Sequence, residues 1–168
     1  TPEQDALIQA GVGLHDKQQY DEAIAKYQEV LKTNPDNIAA LYEMGFSNME
    51  KKDEAAALEI ARKGIQYDSE LLPDFYVMMA SIYENQEKTD QALATYRQGL
   101  AVLPKSGALL YNLATTYRQA LKDPATQKAL LDLGVDVIGS SPKEFEDYIQ
   151  SEIPKWTAVV KASGAQID

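Results

Sequence analysis

The chain has 168 residues, 45% of them hydrophobic, enough for one sizeable core or one elongated array but not for two full globular domains. Its 26 acidic and 16 basic residues leave a net charge of -10, which argues against nucleic acid or an anionic membrane surface as partner and favours basic or apolar ones. Without cysteine it can form no disulfide, thiol nucleophile or cysteine-ligated metal site, and cytosol and bacterial periplasm both stay open.

The first predicted element starts at Thr1-Pro2-Glu3-Gln4, a capping box with proline at the first helical position. Leu7, Ala10, Gly11 and Leu14 follow at helical spacing, and after the turn DKQQYD so do Ala23, Ile24, Tyr27, Val30 and Leu31. This stretch reads as two antiparallel amphipathic helices, and the pattern then returns. Gly11, Gly45, Ala80 and Ala114 stand 34, 35 and 34 residues apart. The columns Ala23, Ala57, Ala92, Thr126 and Tyr27, Ala61, Tyr96, Leu130 keep those intervals, and Pro35, Ser69 and Pro104 close the first three units. Small residues at 11/23, 45/57, 80/92 and 114/126 let the paired helices approach closely, and stacking the pairs buries one continuous core. Asp123-Pro124 repeats the cap-then-proline device, so a further helix is predicted there.

Residues 1–119 resemble the tetratricopeptide repeat (TPR) family. The match is carried by QQYDEAIAKYQEVLKTNPDN, LYEMGFSNMEKKDEAAALEIARKGI, FYVMMASIYENQEKTDQALATYRQGLAVLP and LLYNLATTYRQ. The resemblance implies an all-α, right-handed helical-hairpin solenoid of three full repeats plus the first helix of a fourth, and an irregular C-terminal capping helix is expected in the 120–168 extension. Ala61 and Gly64 replace larger residues in the second unit, Ser69 replaces its proline, and Pro73 enters the third. A looser second interface and an altered superhelical angle are expected from these departures.

In the family the first helix of each unit lines a concave face that receives peptides. Carried over by position, that face holds Asp5, Ile8, Gln9, Val12 and Asp16, then Tyr42, Glu43, Phe46, Met49 and Glu50. The third unit adds Asp74, Val77, Met78, Ser81 and Glu84, and the fourth Tyr111, Asn112, Thr115 and Arg118. An adaptable apolar strip (Tyr42, Phe46, Met49, Met78, Tyr111) rimmed by Glu43, Glu50, Asp74 and Glu84 suits a peptide or helix carrying aliphatic anchors and Lys or Arg. The family's clamp for a chaperone's C-terminal carboxylate needs Lys, Asn and Arg residues where this chain has Ile8, Val12, Glu43, Asp74 and Met78. Chaperone-tail binding is therefore not expected.

Catalysis finds no support. The single histidine, His15, neighbours Asp16, but consecutive helical residues point about 100° apart. It reads as a partly exposed helix-end residue, and with no second His or any Cys neither a triad nor a His-based metal site can be assembled. The GVG at 11–13 lies within a helix without a basic partner, so it is no phosphate loop. No cofactor and no metal are expected. No apolar run reaches the roughly 18 residues of a membrane span and no signal-peptide core is visible, so a soluble chain is expected. It begins with Thr rather than Met, as where a leader or neighbouring domain has been removed.

Residues 120–164 are similar to the C-terminal tail of the Bug family, the solute receptors of tripartite tricarboxylate transporters, through the DP before a helix, LGVDVIGSSP, the F of PKEF, EIPKW and VVKASG. The lobes that hold the carboxylate ligand in that family have no counterpart here, so small-carboxylate binding ranks last among the readings. On its own terms the segment has a capping box at Ser141-Pro142-Lys143-Glu144 and an apolar stripe, Phe145, Ile149, Ile153, Trp156 and Val160, with a bend expected near Pro154. That stripe either caps the open end of the array or forms a homodimer or partner contact. A cap, and with it a monomer, is the preferred expectation; a structural or homo-oligomerising scaffold is the alternative to a non-catalytic protein-binding adaptor.

Overall fold

A computed structural model describes residues 1–132 together with Ser151 and Pro154. The chain divides into two compact units, Thr1–Ala120 and Leu121–Asp168. In the first, α1 (Pro2–His15) and α2 (Tyr20–Thr33) form one hairpin, α3 (Ile38–Glu50) and α4 (Glu54–Gly64) a second, and α5 (Leu72–Asn85) and α6 (Thr89–Val102) a third. Helix α7 (Gly107–Ala120) ends that unit, and α8 (Pro124–Asp132) belongs to the other. The expected all-α repeat architecture is what forms: among the described residues there is no strand, and no helix is long and apolar enough to cross a membrane. The stripe Phe145, Ile149, Ile153, Trp156 and Val160 and the capping box at Ser141 lie outside the described residues.

Local chemistry sets the helix ends. Thr1 and Gln4 form the reciprocal box, with the Gln4 N–H donating to Thr1 Oγ1 at 3.4 Å. Asp123 Oδ2 accepts from the Thr126 N–H at 2.8 Å and from its hydroxyl at 2.9 Å, which holds the Asp123 carboxyl below its usual range. The turn inside each hairpin carries one left-handed residue at the same repeat position: Gln18, Lys52 and Glu87, with φ of 61°, 70° and 58°. The next N–H in each case bonds back to a carbonyl five residues earlier, Gln19 to Leu14, Asp53 to Asn48 and Lys88 to Tyr83, at 3.0, 2.8 and 2.9 Å. These bonds satisfy helix-end carbonyls at the cost of left-handed side-chain strain. Lys52→Gly is accordingly expected to stabilise the protein by about 1 kcal/mol, read as a higher urea midpoint with unchanged slope.

From α1 to α7 consecutive helices pack in chain order, and α1, α3, α5 and α7 also touch one another in sequence. Within this unit α2, α4 and α6 make no comparable contact with one another, so α1, α3, α5 and α7 form its inner layer and α2, α4 and α6 its outer layer. Glycines permit the closest approaches. A Cβ on Gly11 would lie 2.4 Å from Tyr27 Cε1, so the tyrosine ring lies directly on the α1 backbone. Tyr96 occupies the matching place in the third hairpin, and both rings are almost completely buried. Each such burial contributes about 1.5–3 kcal/mol.

The second hairpin has Ala61 where the others have tyrosine. The looser interface expected there is not what forms, because side chains from α5 fill the space. Met78 Sδ would stand 2.8 Å from a Cβ on Gly45, and the Phe75 ring would stand 2.3 Å from one on Gly64. Between successive hairpins the sizes are reciprocal. Val30 and Ala40 share one core cluster, Gly64 receives Phe75, and Gly99 receives Leu109 together with Tyr76.

Candidate functional site

The inner layer carries a row of aromatic rings across the first three hairpins. His15, at the end of α1, stacks on Phe46 of α3 with centroids 5.0 Å apart and planes at 19°. Phe46 lies parallel to Tyr42 at 6.4 Å, one helical turn away. Tyr20 meets His15 edge-on at 5.2 Å, and Phe75 meets Tyr42 edge-on at 5.8 Å, closing the two ends. Pairs of this geometry contribute about 0.5–1.5 kcal/mol each beyond burial. His15 Nδ1 is also 2.8 Å from the buried Ser47 hydroxyl, which fixes its ring plane. Tyr42, Phe46 and Met49 are half-buried against the central core cluster, each with part of its surface open to solvent.

Carboxylates flank the row. Glu43 and Asp74 are half-buried, and loss of solvation pushes both acids above their usual range. For Glu43 the His15 side chain opposes the shift and Asp16 adds to it. The Tyr42 hydroxyl is raised by burial and then by the negative fields of Asp74 and Glu43, which places all three groups in one electrostatic neighbourhood. The ion pairs among the described residues are Lys26–Glu29, Lys51–Asp21 and Lys63–Asp36, so neither Glu43 nor Asp74 has a cation of its own. A carboxylate that has lost part of its hydration without gaining a counter-charge is disposed to accept one.

The remaining positions behave differently. Glu50 is exposed at the end of α3. Met78 is 4% exposed, so it is a core residue and not part of an accessible strip; the volume left by Ala61 draws it inward. Glu84 accepts a short hydrogen bond from the Thr116 hydroxyl of α7, which ties it to the neighbouring helix. This pair stands 69 residues beyond His15–Ser47 and repeats that link in the third and fourth units. On α7, Asn112 donates to the Ala108 carbonyl at 2.8 Å, Arg118 is exposed, and Tyr111 is 71% exposed. Among the described residues these three share no hydrogen bond or ring contact with the Tyr42 cluster. His15 and Ser47 are the residues that sequence reasoning missed. The signal was weak, since His15 looked isolated until the fold set α1 against α3.

Fold and site together define a helical-hairpin repeat array with an aromatic, acid-flanked inner face. A family model described as TPR repeat matches residues 13–52, and one described as Tetratricopeptide repeat matches residues 73–116. These two stretches match tetratricopeptide repeats, and the helical-hairpin array is the fold of such repeats. Neither match reaches residues 120–164, whose resemblance to the Bug receptors gains no support. No curated protein matches the chain.

Among solved structures it is similar to the first TPR of Spaghetti (RPAP3) bound to HSP90 peptide SRMEEVD, at 19% identity and a TM-score of 0.60, over 73% of this chain and 96% of that one. The Sgt2 TPR domain from Aspergillus fumigatus gives 20% and 0.62, over 84% and 93%. The TPR2AB domain of yeast Sti1 in complex with pHSP90 gives 17% and 0.67, over 96% of this chain and 62% of that one. At such identities the likeness shows the fold alone.

Proposed function

We propose that the protein is a non-catalytic interaction module whose inner face binds a peptide or helix bearing apolar and basic side chains. The observation that supports this reading is the half-buried Tyr42–Phe46–His15 row flanked by Glu43 and Asp74, two carboxylates with raised pKa and, among the described residues, no ion pair. Aromatic faces attract cations, and the carboxylates add charge to that attraction. Met49 supplies an adaptable apolar neighbour and Glu50 an exposed negative rim. Two of the compared structures contain HSP90-derived partners. An acidic peptide such as SRMEEVD would here meet Glu43 and Asp74, so the same fold is set for the opposite charge.

A peptide array probed with the intact chain tests the proposal. Hits enriched in Lys or Arg beside aliphatic residues are expected, and Glu43→Lys with Glu50→Lys is expected to weaken them at least about tenfold, or 1.4 kcal/mol. An unchanged set of hits would remove the groove from the mechanism.

A further inference from the structure

The outer layer contains a cleft of about 500 Å³ between α2, α3 and α4. Ile24, Met44 and Ile60 supply apolar walls, while Gln28 and Asn48 supply amides. Its origin lies in a comparison of the repeats. At the second inter-hairpin junction Arg62 of α4 donates to the Tyr83 hydroxyl of α5 at 3.2 Å. At the third, 35 and 34 residues further along the two helices, Arg97 of α6 donates to the Tyr117 hydroxyl of α7, with its guanidinium 5.7 Å from the ring centre. The corresponding positions at the first junction are Gln28 and Asn48. Neither amide reaches the other among the described hydrogen bonds; Asn48 Nδ2 instead donates to its own helix at the Met44 carbonyl, 2.8 Å away. Ala56 widens the opening, where the flanking repeats place Glu22 and Gln91.

We propose that this cleft is a second binding site, distinct from the inner face, and that it takes an arginine side chain from a partner protein, in the place where Arg62 and Arg97 sit at the next two junctions. Three observations converge on that ligand. The repeats themselves show that a guanidinium fits between an outer helix and the next inner one. Asn48 is only 6% exposed and lines the cleft, and its side-chain oxygen accepts no hydrogen bond among the described residues. Glu59, exposed at the rim of the cleft, has no ion pair among the described residues, while the one lysine there, Lys51, is held by Asp21 at 2.5 Å. A guanidinium offers five donors in a fixed fork, so it can serve a carboxylate and an amide oxygen at once while its stem covers the aliphatic walls. A neutral isostere of the same shape keeps some of those donors but loses the charge and part of the fork, so it pairs less well with the carboxylate.

The test uses the full chain and nitrogen-15 spectra, titrated with an acetylated, amidated alanine–arginine–alanine peptide and with its citrulline counterpart. Saturable shifts of the Asn48 side-chain amide and the Glu59 backbone are expected with the arginine peptide, with at least tenfold weaker binding of the citrulline peptide. Glu59→Gln is expected to weaken the arginine complex. Gln28→Arg with Asn48→Tyr rebuilds the internal pair and is expected to abolish binding while the spectrum stays folded. Equal binding of the citrulline peptide, full binding by that double variant, or no saturable shift at millimolar peptide would overturn the assignment. Shifts confined to Tyr42 and Glu43 would also overturn it, while supporting the inner-face reading.

Discussion

Phe75→Ala is expected to destabilise the protein by about 3–5 kcal/mol, the cost of removing a fully buried aromatic side chain and leaving its cavity. Phe75 joins the second and third hairpins: its ring occupies the position beside Gly64 where a Cβ would stand 2.3 Å away, and its edge meets Tyr42. Gly64→Ala alone is expected to cost about 1–3 kcal/mol, because the ring is enclosed and cannot withdraw. In the Phe75→Ala background the same alanine is expected to be neutral or to stabilise by up to about 1 kcal/mol, since it enters vacated space and favours the helix. Urea denaturation of the four proteins in the cycle measures the coupling. Additive effects would show that ring and glycine do not share one space.

A large loss of stability is also expected in alkali. Burial pushes the hydroxyls of Tyr27 and Tyr96 from an ordinary value of 10.0 up to about 12, with Glu43 adding to the first shift and Glu84 to the second. Nearby hydroxyls oppose them, Ser47 for Tyr27 and chiefly Ser81 and Thr116 for Tyr96. Because the folded pKa lies above the unfolded one, the folded protein holds more protons between pH 10 and 12. The stability is therefore fully present below the lower value and is lost as pH rises through the upper one. Each tyrosine accounts for roughly 2–3 kcal/mol of that fall.

Unfolding free energies at pH 9 and at increasing alkalinity measure the slope, and Tyr27→Phe is expected to remove the roughly 2–3 kcal/mol that Tyr27 contributes to it. At neutral pH that substitution is expected to cost little, because the buried Tyr27 hydroxyl makes no well-formed hydrogen bond. A slope unaffected by Tyr27→Phe would show that the hydroxyl reaches water in the folded state.

The repeat was legible from its small residues because they mark backbone approach, which depends on the helices of one hairpin and hence on sequence spacing. Gly11 opposite Tyr27 is the simplest instance. The helix starts at Thr1 and Asp123 were legible for a similar reason, since a cap is a contact within four residues. Met78 was misplaced because its direction depends on a vacancy made by Ala61, a residue of the preceding repeat. His15 was undervalued because its partners Phe46 and Ser47 are a full hairpin away. Tyr42, Glu43 and Phe46 were singled out by the family resemblance, yet the shifted acidity of Glu43 depends on enclosure, which no local pattern reveals.

The reciprocal sizes at the hairpin junctions have a consequence for assembly. Repeats this alike invite a misfolded register in which one hairpin docks on the wrong neighbour. The junctions discourage it, because each uses a different division of volume: Val30 with Ala40, Gly64 with Phe75, and Gly99 with Leu109. Docking the third hairpin directly on the first would drive the Phe75 ring against Val30, and docking the second on itself in another copy would leave Ala40 over the bare backbone of Gly64. One exchange collides and the other leaves a void. A handful of methylene and ring volumes thus works as an address, telling otherwise interchangeable hairpins their order along the chain.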